Sequence, residues 1–129
     1  MNDKLFVYGT LLDEGNKYGI YLRDNSRFFA IGTIKGKLYD IGEYPGAVLH
    51  REGNDLIYGT ILQIDNPGDV LAVIDMYEGF GNDQPQPNEF VRVITQAETE
   101  SGSVDCWIYL YNLPVDGLTP IKDWRYFKQ

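Results

Sequence analysis

A single helical period set among short β-rich runs limits what this chain can become. From Asp65 to Gly79 the apolar positions Val70, Ile74 and Tyr77 recur at helical spacing, and Leu71 widens the stripe. Asp65-Asn66-Pro67 supplies an N-cap and a proline near the first helical position. Asp69 suits the positive end of the helix dipole, and Gly79 is placed to stop the helix in a left-handed conformation. Elsewhere the apolar runs are short and punctuated by glycine. Leu5–Tyr8, Phe28–Ile31 with its continuation Leu38–Ile41, Ala47–His50, Leu56–Ile64, Phe90–Ala97 and Val104–Tyr111 read as strands. In the last of these, Val104, Cys106, Ile108 and Leu110 face one way. Asp105, Trp107, Tyr109 and Tyr111 face the other, so one face is aliphatic and the other aromatic. About six strands with one main helix and many glycines predict an α+β fold, a mixed α/β barrel-like domain.

The connections are read from turn chemistry. Glu43-Tyr44-Pro45-Gly46 is expected to be a turn, and Glu52-Gly53-Asn54-Asp55 a hairpin loop. Residues 12–18, 80–88 and 112–120 read as loops. Residues 18–30 are ambiguous at their start, and Trp124–Phe127 forms one helical turn at most. At 129 residues with no linker, the chain is expected to be one domain spanning 1–129.

Charge narrows the function classes. The net charge of −8 and the absence of any Lys/Arg cluster argue against nucleic acid and anionic membranes as partners. One cysteine and no apolar leader point to a reducing, cytoplasmic setting. A lone histidine, His50, argues against a metal site, and no cofactor motif is present. Gly32–Lys37 has three residues between its glycines where a phosphate loop has four, and Leu38 follows the lysine. Gly79-Phe80-Gly81 has no third glycine at 84. Ser26, Ser101 and Ser103 all sit in turn-like segments, which disfavours a triad with His50. Cys106, on the aliphatic face, reads as a small buried hydrophobe.

Two features remain. Glu78 falls in the last turn of the helix, where the dipole disfavours a carboxylate, among Tyr77, Gly79 and Phe80. Both effects raise its pKa toward that of a general base, although a solvated helix-end residue fits the same spacing. The segment Phe6–Leu12 is a strand running into glycine, where amide N–H groups can turn outward to hold an anion; an ordinary tight turn fits as well.

At these residues the chain resembles the gamma-glutamylcyclotransferase-like family. The resemblance is carried by Val7-Tyr8-Gly9-Thr10-Leu11, by Gly36–Val48 with its Leu-Tyr-Asp-Ile-Gly-Glu-Tyr-Pro-Gly core, and by Ile74-Asp75-Met76-Tyr77-Glu78-Gly79. Arg92 and Trp107-Ile108-Tyr109-Leu110-Tyr111 complete the series in the same order. Departures are Phe90 where the family often has tyrosine, a longer segment Asn82–Asn88, and Lys122-Asp123-Trp124 without the usual glycine.

The resemblance implies a gamma-glutamylcyclotransferase-like fold and release of 5-oxoproline from a small gamma-glutamyl compound without cofactor. It implies Glu78 as the acid/base and the amides of Tyr8, Gly9, Thr10 and Leu11 as the holder of substrate or oxyanion. Gly46 and Arg92 enter the substrate site on the same basis. Tyr44, Tyr109 and Tyr111 are candidates for its wall, with core packing equally open to each. A non-catalytic metabolite-binding protein of the same fold is the alternative reading.

Overall fold

The computed structural model describes residues 1–8, 17–42 and 45–121. Its elements run β1 (Lys4–Val7), α1 (Lys17–Asp24), β2 (Ser26–Asp40), β3 (Pro45–Leu49), β4 (Leu56–Ile64), α2 (Pro67–Glu78), β5 (Phe90–Thr99), β6 (Gly102–Tyr111) and β7 (Thr119–Ile121). Strands β2, β4, β1, β6 and β5 pair in that order, and β5 returns to β2, closing a five-stranded barrel. All barrel pairs are antiparallel except β1–β6, where Leu5 lies beside Trp107. The short strands β3 and β7 pair with the far half of β2. The α+β barrel expected from the pattern is therefore present, with seven strands and a second helix.

The two faces of β6 sort the core into two clusters. Cys106 and Ile108 pack with Phe6, Ile34, Leu38, Ala47, Ile57, Ile61 and Ala97. Tyr109, with Trp107 and Tyr111 against it, packs with Leu5, Val7, Leu22, Val70, Leu71 and Ile74. β1 alternates between the same two clusters, Phe6 in one and Leu5 and Val7 in the other, so it is buried on both faces. Cys106 is fully buried, and desolvation pushes its thiol up to about 11, as suits a packing residue.

Helix α2 matches its sequence signals closely. Pro67 opens it, and Val70, Leu71 and Ile74 are its buried stripe. Asn66 takes a left-handed conformation and makes no side-chain cap, so only the backbone half of the expected cap forms. The Asn66 carbonyl accepts from the amides of Asp69 and Val70. Tyr77 leaves the core and instead stacks on Tyr18 of α1, with ring centroids 4.1 Å apart.

One open stretch is resolved and three expectations are corrected. Residues 17–24, at the ambiguous start of the 18–30 stretch, form a helix with one large buried side chain, Leu22, too short for a readable period. It ends where the Asn25 amide and Ser26 hydroxyl donate to the Leu22 carbonyl. Pro45 and Gly46, expected in a turn, begin β3, where a proline at the first strand position removes no essential ladder bond. Thr119 and Pro120, expected in a loop, belong to β7.

The third correction concerns Glu52–Asp55, which does not join a hairpin. The His50 amide donates to the Lys35 carbonyl, and the Gly36 amide donates to the Asp55 carbonyl. That carbonyl and that amide belong to one trans peptide unit and point to opposite edges of β2. The 50–55 segment therefore carries the chain across β2, with β3 on one edge and β4 on the other. The tail 124–127 and most of loop 12–18 lie outside the described residues.

The crossing needs a glycine. A Cβ on Gly36 would stand 2.5 Å from the Val48 carbonyl oxygen and 2.8 Å from Ile57 Cδ1. Gly36→Ala is expected to destabilise by about 1–3 kcal/mol, as overpacking does. Gly68→Ala, in the first turn of α2 with nothing within 4 Å of the new methyl, should be neutral or slightly stabilising. Urea unfolding of the two variants checks the contrast.

Candidate active site

The end of α2 is built to hold one carboxylate in place. Gly79 is left-handed at φ 76°. Its amide donates to the Met76 carbonyl and the Phe80 amide to the Asp75 carbonyl, a Schellman closure. Glu78 is the last residue before that turn, so its backbone is fixed by its neighbours' bonds.

Asp75 anchors the same turn to the barrel through its side chain. Arg92 of β5 meets it with two parallel bonds, Nε to Oδ1 at 2.7 Å and Nη2 to Oδ2 at 3.0 Å. The Tyr109 hydroxyl donates to Asp75 Oδ1 at 2.6 Å. The Arg92 guanidinium lies over the Trp107 ring, 4.2 Å from its centroid, and its Nη1 is buried without a hydrogen-bond partner. Helix end, β5 and β6 are thus locked by one ion pair and one phenol.

Glu78 receives no comparable compensation from the described residues. Among the described residues it makes no hydrogen bond and no ion pair. Burial strips water from its carboxylate, and the negative charges of Glu89 and Asp75 add to the effect, so its pKa is raised to about 7. Glu78 also acts on its surroundings. Burial first, and its charge second, raise the Tyr8 phenol above the usual tyrosine range. Tyr109 is raised as well, by burial and by its bond to Asp75. Tyr8 and Tyr109 therefore stay protonated and serve as neutral donors. The Tyr8 hydroxyl donates to the Tyr109 carbonyl and accepts from the Ala47 amide at 3.3 Å, tying β1, β6 and β3 together beside Glu78.

The other expected site residues are placed as follows. Gly46 lies in β3 under Tyr111, whose ring atoms would be 2.9 Å from any Cβ there. Tyr111 packs edge-on against Phe90, with centroids 5.6 Å apart. Phe90 is almost fully buried, so the side chain standing in for the family's tyrosine serves the core here. Arg92 is committed to Asp75. Gly9, Thr10, Leu11 and Tyr44 lie outside the described residues. His50, beyond the end of β3, is exposed and packs on Gly53. Two contributors escaped the sequence reading. Asp75 had a signal, since a lone arginine in the apolar run Val91–Ile94 needs a buried anion. Glu89 had none, because its influence depends on β5 starting beside the helix end.

A family model described as "Gamma-glutamyl cyclotransferase, AIG2-like" matches residues 5–126. The chain belongs to the gamma-glutamylcyclotransferase family. The family protein YtfP of Escherichia coli K12 is 36% identical over 124 residues, covering 94% of this chain and 95% of that protein. The solution structure of E. coli ytfP aligns over 93% of this chain and 92% of that one, at a TM-score of 0.64 and 33% identity. The mouse AIG2-like protein shares the fold, with a TM-score of 0.71 over 94% of this chain and 86% of that one, at 21% identity. The cyclotransferase-family barrel thus accounts for nearly the whole chain. No helix among the described residues is long and apolar enough to cross a membrane.

Proposed function

We propose that this family member releases 5-oxoproline and a free amine from a small gamma-glutamyl compound, with Glu78 as the proton carrier. The observation that supports this reading is a carboxyl group held near pKa 7, rigidly placed, with no cation bonded to it among the described residues.

The chemistry asks for little else. Ionised Glu78 takes a proton from the substrate's α-ammonium. The freed amine attacks the γ-carbonyl carbon of the same molecule and closes a five-membered lactam. The bond from that carbon to the leaving nitrogen breaks as protonated Glu78 gives that nitrogen its proton, and the regenerated carboxylate relays the ring nitrogen's second proton to the released amine, which leaves as an ammonium. Because the nucleophile arrives with the substrate, no serine or cysteine is required. One poised carboxylate serves these proton transfers in turn. The amides of the Tyr8–Leu11 segment receive the substrate's anionic end or the developing oxyanion, while the Tyr8 and Tyr109 hydroxyls, already donating to the Tyr109 carbonyl and to Asp75, hold the frame of the site.

The test is a panel of gamma-glutamyl dipeptides, gamma-glutamyl-lysine and glutathione, with 5-oxoproline followed by mass spectrometry. Turnover on at least one member, with 5-oxoproline and amine released one to one, is the expected result. Free glutamate as the product would mean simple hydrolysis and sink the mechanism. Saturable binding of a panel member without any turnover would replace it with the metabolite-binding reading.

A further inference from the structure

The barrel closes incompletely, and the gap has the character of a missing strand. β2 meets β5 at one pair only, Thr33 with Glu98. Thr33 also pairs with Tyr58 of β4, so β5 lies on the edge of β2 opposite β4. By the crossing described above, β3 lies on that same edge, against Gly36–Asp40. β3 and β5 thus share one edge of β2 and run in the same direction, yet they diverge. Between them opens a cavity of about 480 Å³, lined by Lys35, Leu49, Ile94 and Gln96 among others.

Both walls turn backbone groups toward the cavity that pair with no other described residue. The Asn112 amide donates to the Glu89 carbonyl, which makes Phe90 and Tyr111 a non-hydrogen-bonded pair. Counting by twos along β5, Ile94 and Gln96 point their N–H and C=O groups away from β6, toward the cavity. On the other wall, the bond from the His50 amide to the Lys35 carbonyl makes Gly36 and Leu49 a non-hydrogen-bonded pair. Leu49 therefore points its backbone groups away from β2. Open ladder edges are templates for another strand. The side chains add a pattern. Ile94 and Leu56 are exposed beside the cavity, 47% and 43%. Lys35 and Arg51 line it and form no ion pair among the described residues. On the opposite, β5–β6 wall the Glu98 carboxylate accepts from the Ser103 hydroxyl, and Asp105 lines the cavity as a second acidic residue, so the cationic part of the groove is confined to Lys35 and Arg51.

We propose that this groove takes an extended segment of a partner polypeptide as an added strand, antiparallel to both β3 and β5. Its backbone bonds to Leu49 on one side and to Ile94 and Gln96 on the other. An apolar side chain covers Ile94 and Leu56, and an acidic one meets Lys35 and Arg51. The site is separate from Glu78 and independent of the proposed catalysis.

The probe is a random octapeptide library displayed on phage and selected against the full chain, with enriched peptides synthesised and titrated by calorimetry. Enriched peptides should carry an acidic and an apolar residue at alternating spacing. Backbone N-methylation should weaken them at every second position, roughly five- to tenfold per lost strand bond. Ile94→Pro removes an amide that faces the groove and none that bonds β6, so it should weaken binding similarly and leave 5-oxoproline release unchanged. Should Ile94→Pro fail to fold, the surface double variant Lys35→Glu, Arg51→Glu serves in its place and should switch the preference from acidic to basic peptides. Failure to enrich any peptide, or binding indifferent to N-methylation and to both variants, overturns the proposal. So does concentration-dependent dimerisation of the wild type that Ile94→Pro prevents, which would make a second copy the occupant.

Discussion

Glu78→Gln is expected to lose 5-oxoproline release by about 10²–10⁴-fold and, at pH 8, to be more stable than the wild type. Both effects come from one cause. In the folded chain the carboxyl has a pKa of about 7, against an ordinary value of 4.5. Between these two values the folded state holds a proton that the unfolded state has released. Stability therefore falls as pH rises from about 4.5 to 7 and stays low above it. The full penalty is on the order of 2–3 kcal/mol, after some allowance for the residue's remaining exposure. Glutamine keeps the shape without the charge and escapes that penalty. Thermal melts of the two proteins should differ by roughly 5–10 °C at pH 8 and converge below pH 4.5. Activity runs the opposite way. Only ionised Glu78 accepts the substrate's proton, so kcat/KM should rise with pH, with a midpoint near 7. A Glu78→Gln protein that retains wild-type turnover, or a melting difference that ignores pH, would contradict this account.

That trade between stability and reactivity sits on an element whose signals are local. Pro67, the stripe Val70–Ile74 and Gly79 lie within one helix, so the position of Glu78 at its end could be read without any tertiary knowledge. The division of β6 into an aliphatic and an aromatic face was equally local, and the structure gives each face its own core cluster. Closure was a different matter. The barrel depends on the parallel contact of Leu5 with Trp107 and on the single pair Thr33–Glu98, each between residues distant in sequence. The 50–55 segment misled for a related reason. Its Glu-Gly-Asn-Asp composition does specify a reversal, but turn chemistry does not reveal which edge of which strand receives the chain next. The strength of the effect on Glu78 was also beyond local reading. The helix dipole and aromatic neighbours set its direction, whereas Glu89 arrives from the start of β5. Asp75 lay in plain view, three residues before Glu78, but its partner Arg92 is seventeen residues away.

The Asp75–Arg92 pair offers the sharpest separation of structural from chemical roles. Its side chains are 17% and 12% exposed, so removing one partner strands a buried charge. Asp75→Ala is expected to cost about 3–5 kcal/mol, seen as a fall in melting temperature on the order of 10–20 °C. The exposed pair Arg27–Asp65, at 3.6 Å with side chains 71% and 46% exposed, should cost less than about 1 kcal/mol when broken. The two halves of the buried pair are expected to act on Glu78 in opposite directions. Asp75 pushes the Glu78 pKa up, and the cation bonded to Asp75 should by its opposite sign offset part of that push. Arg92→Met leaves Asp75 unopposed, so the activity midpoint should move above 7. Asp75→Asn leaves Arg92 unopposed, so the midpoint should move below 7. The double variant should return toward the wild-type midpoint even if its stability does not. General loosening of the helix end would lower kcat in all three and shift the midpoint in none. Opposite shifts from the two single variants would therefore assign the pair to setting the charge of Glu78 as well as to holding the helix against β5.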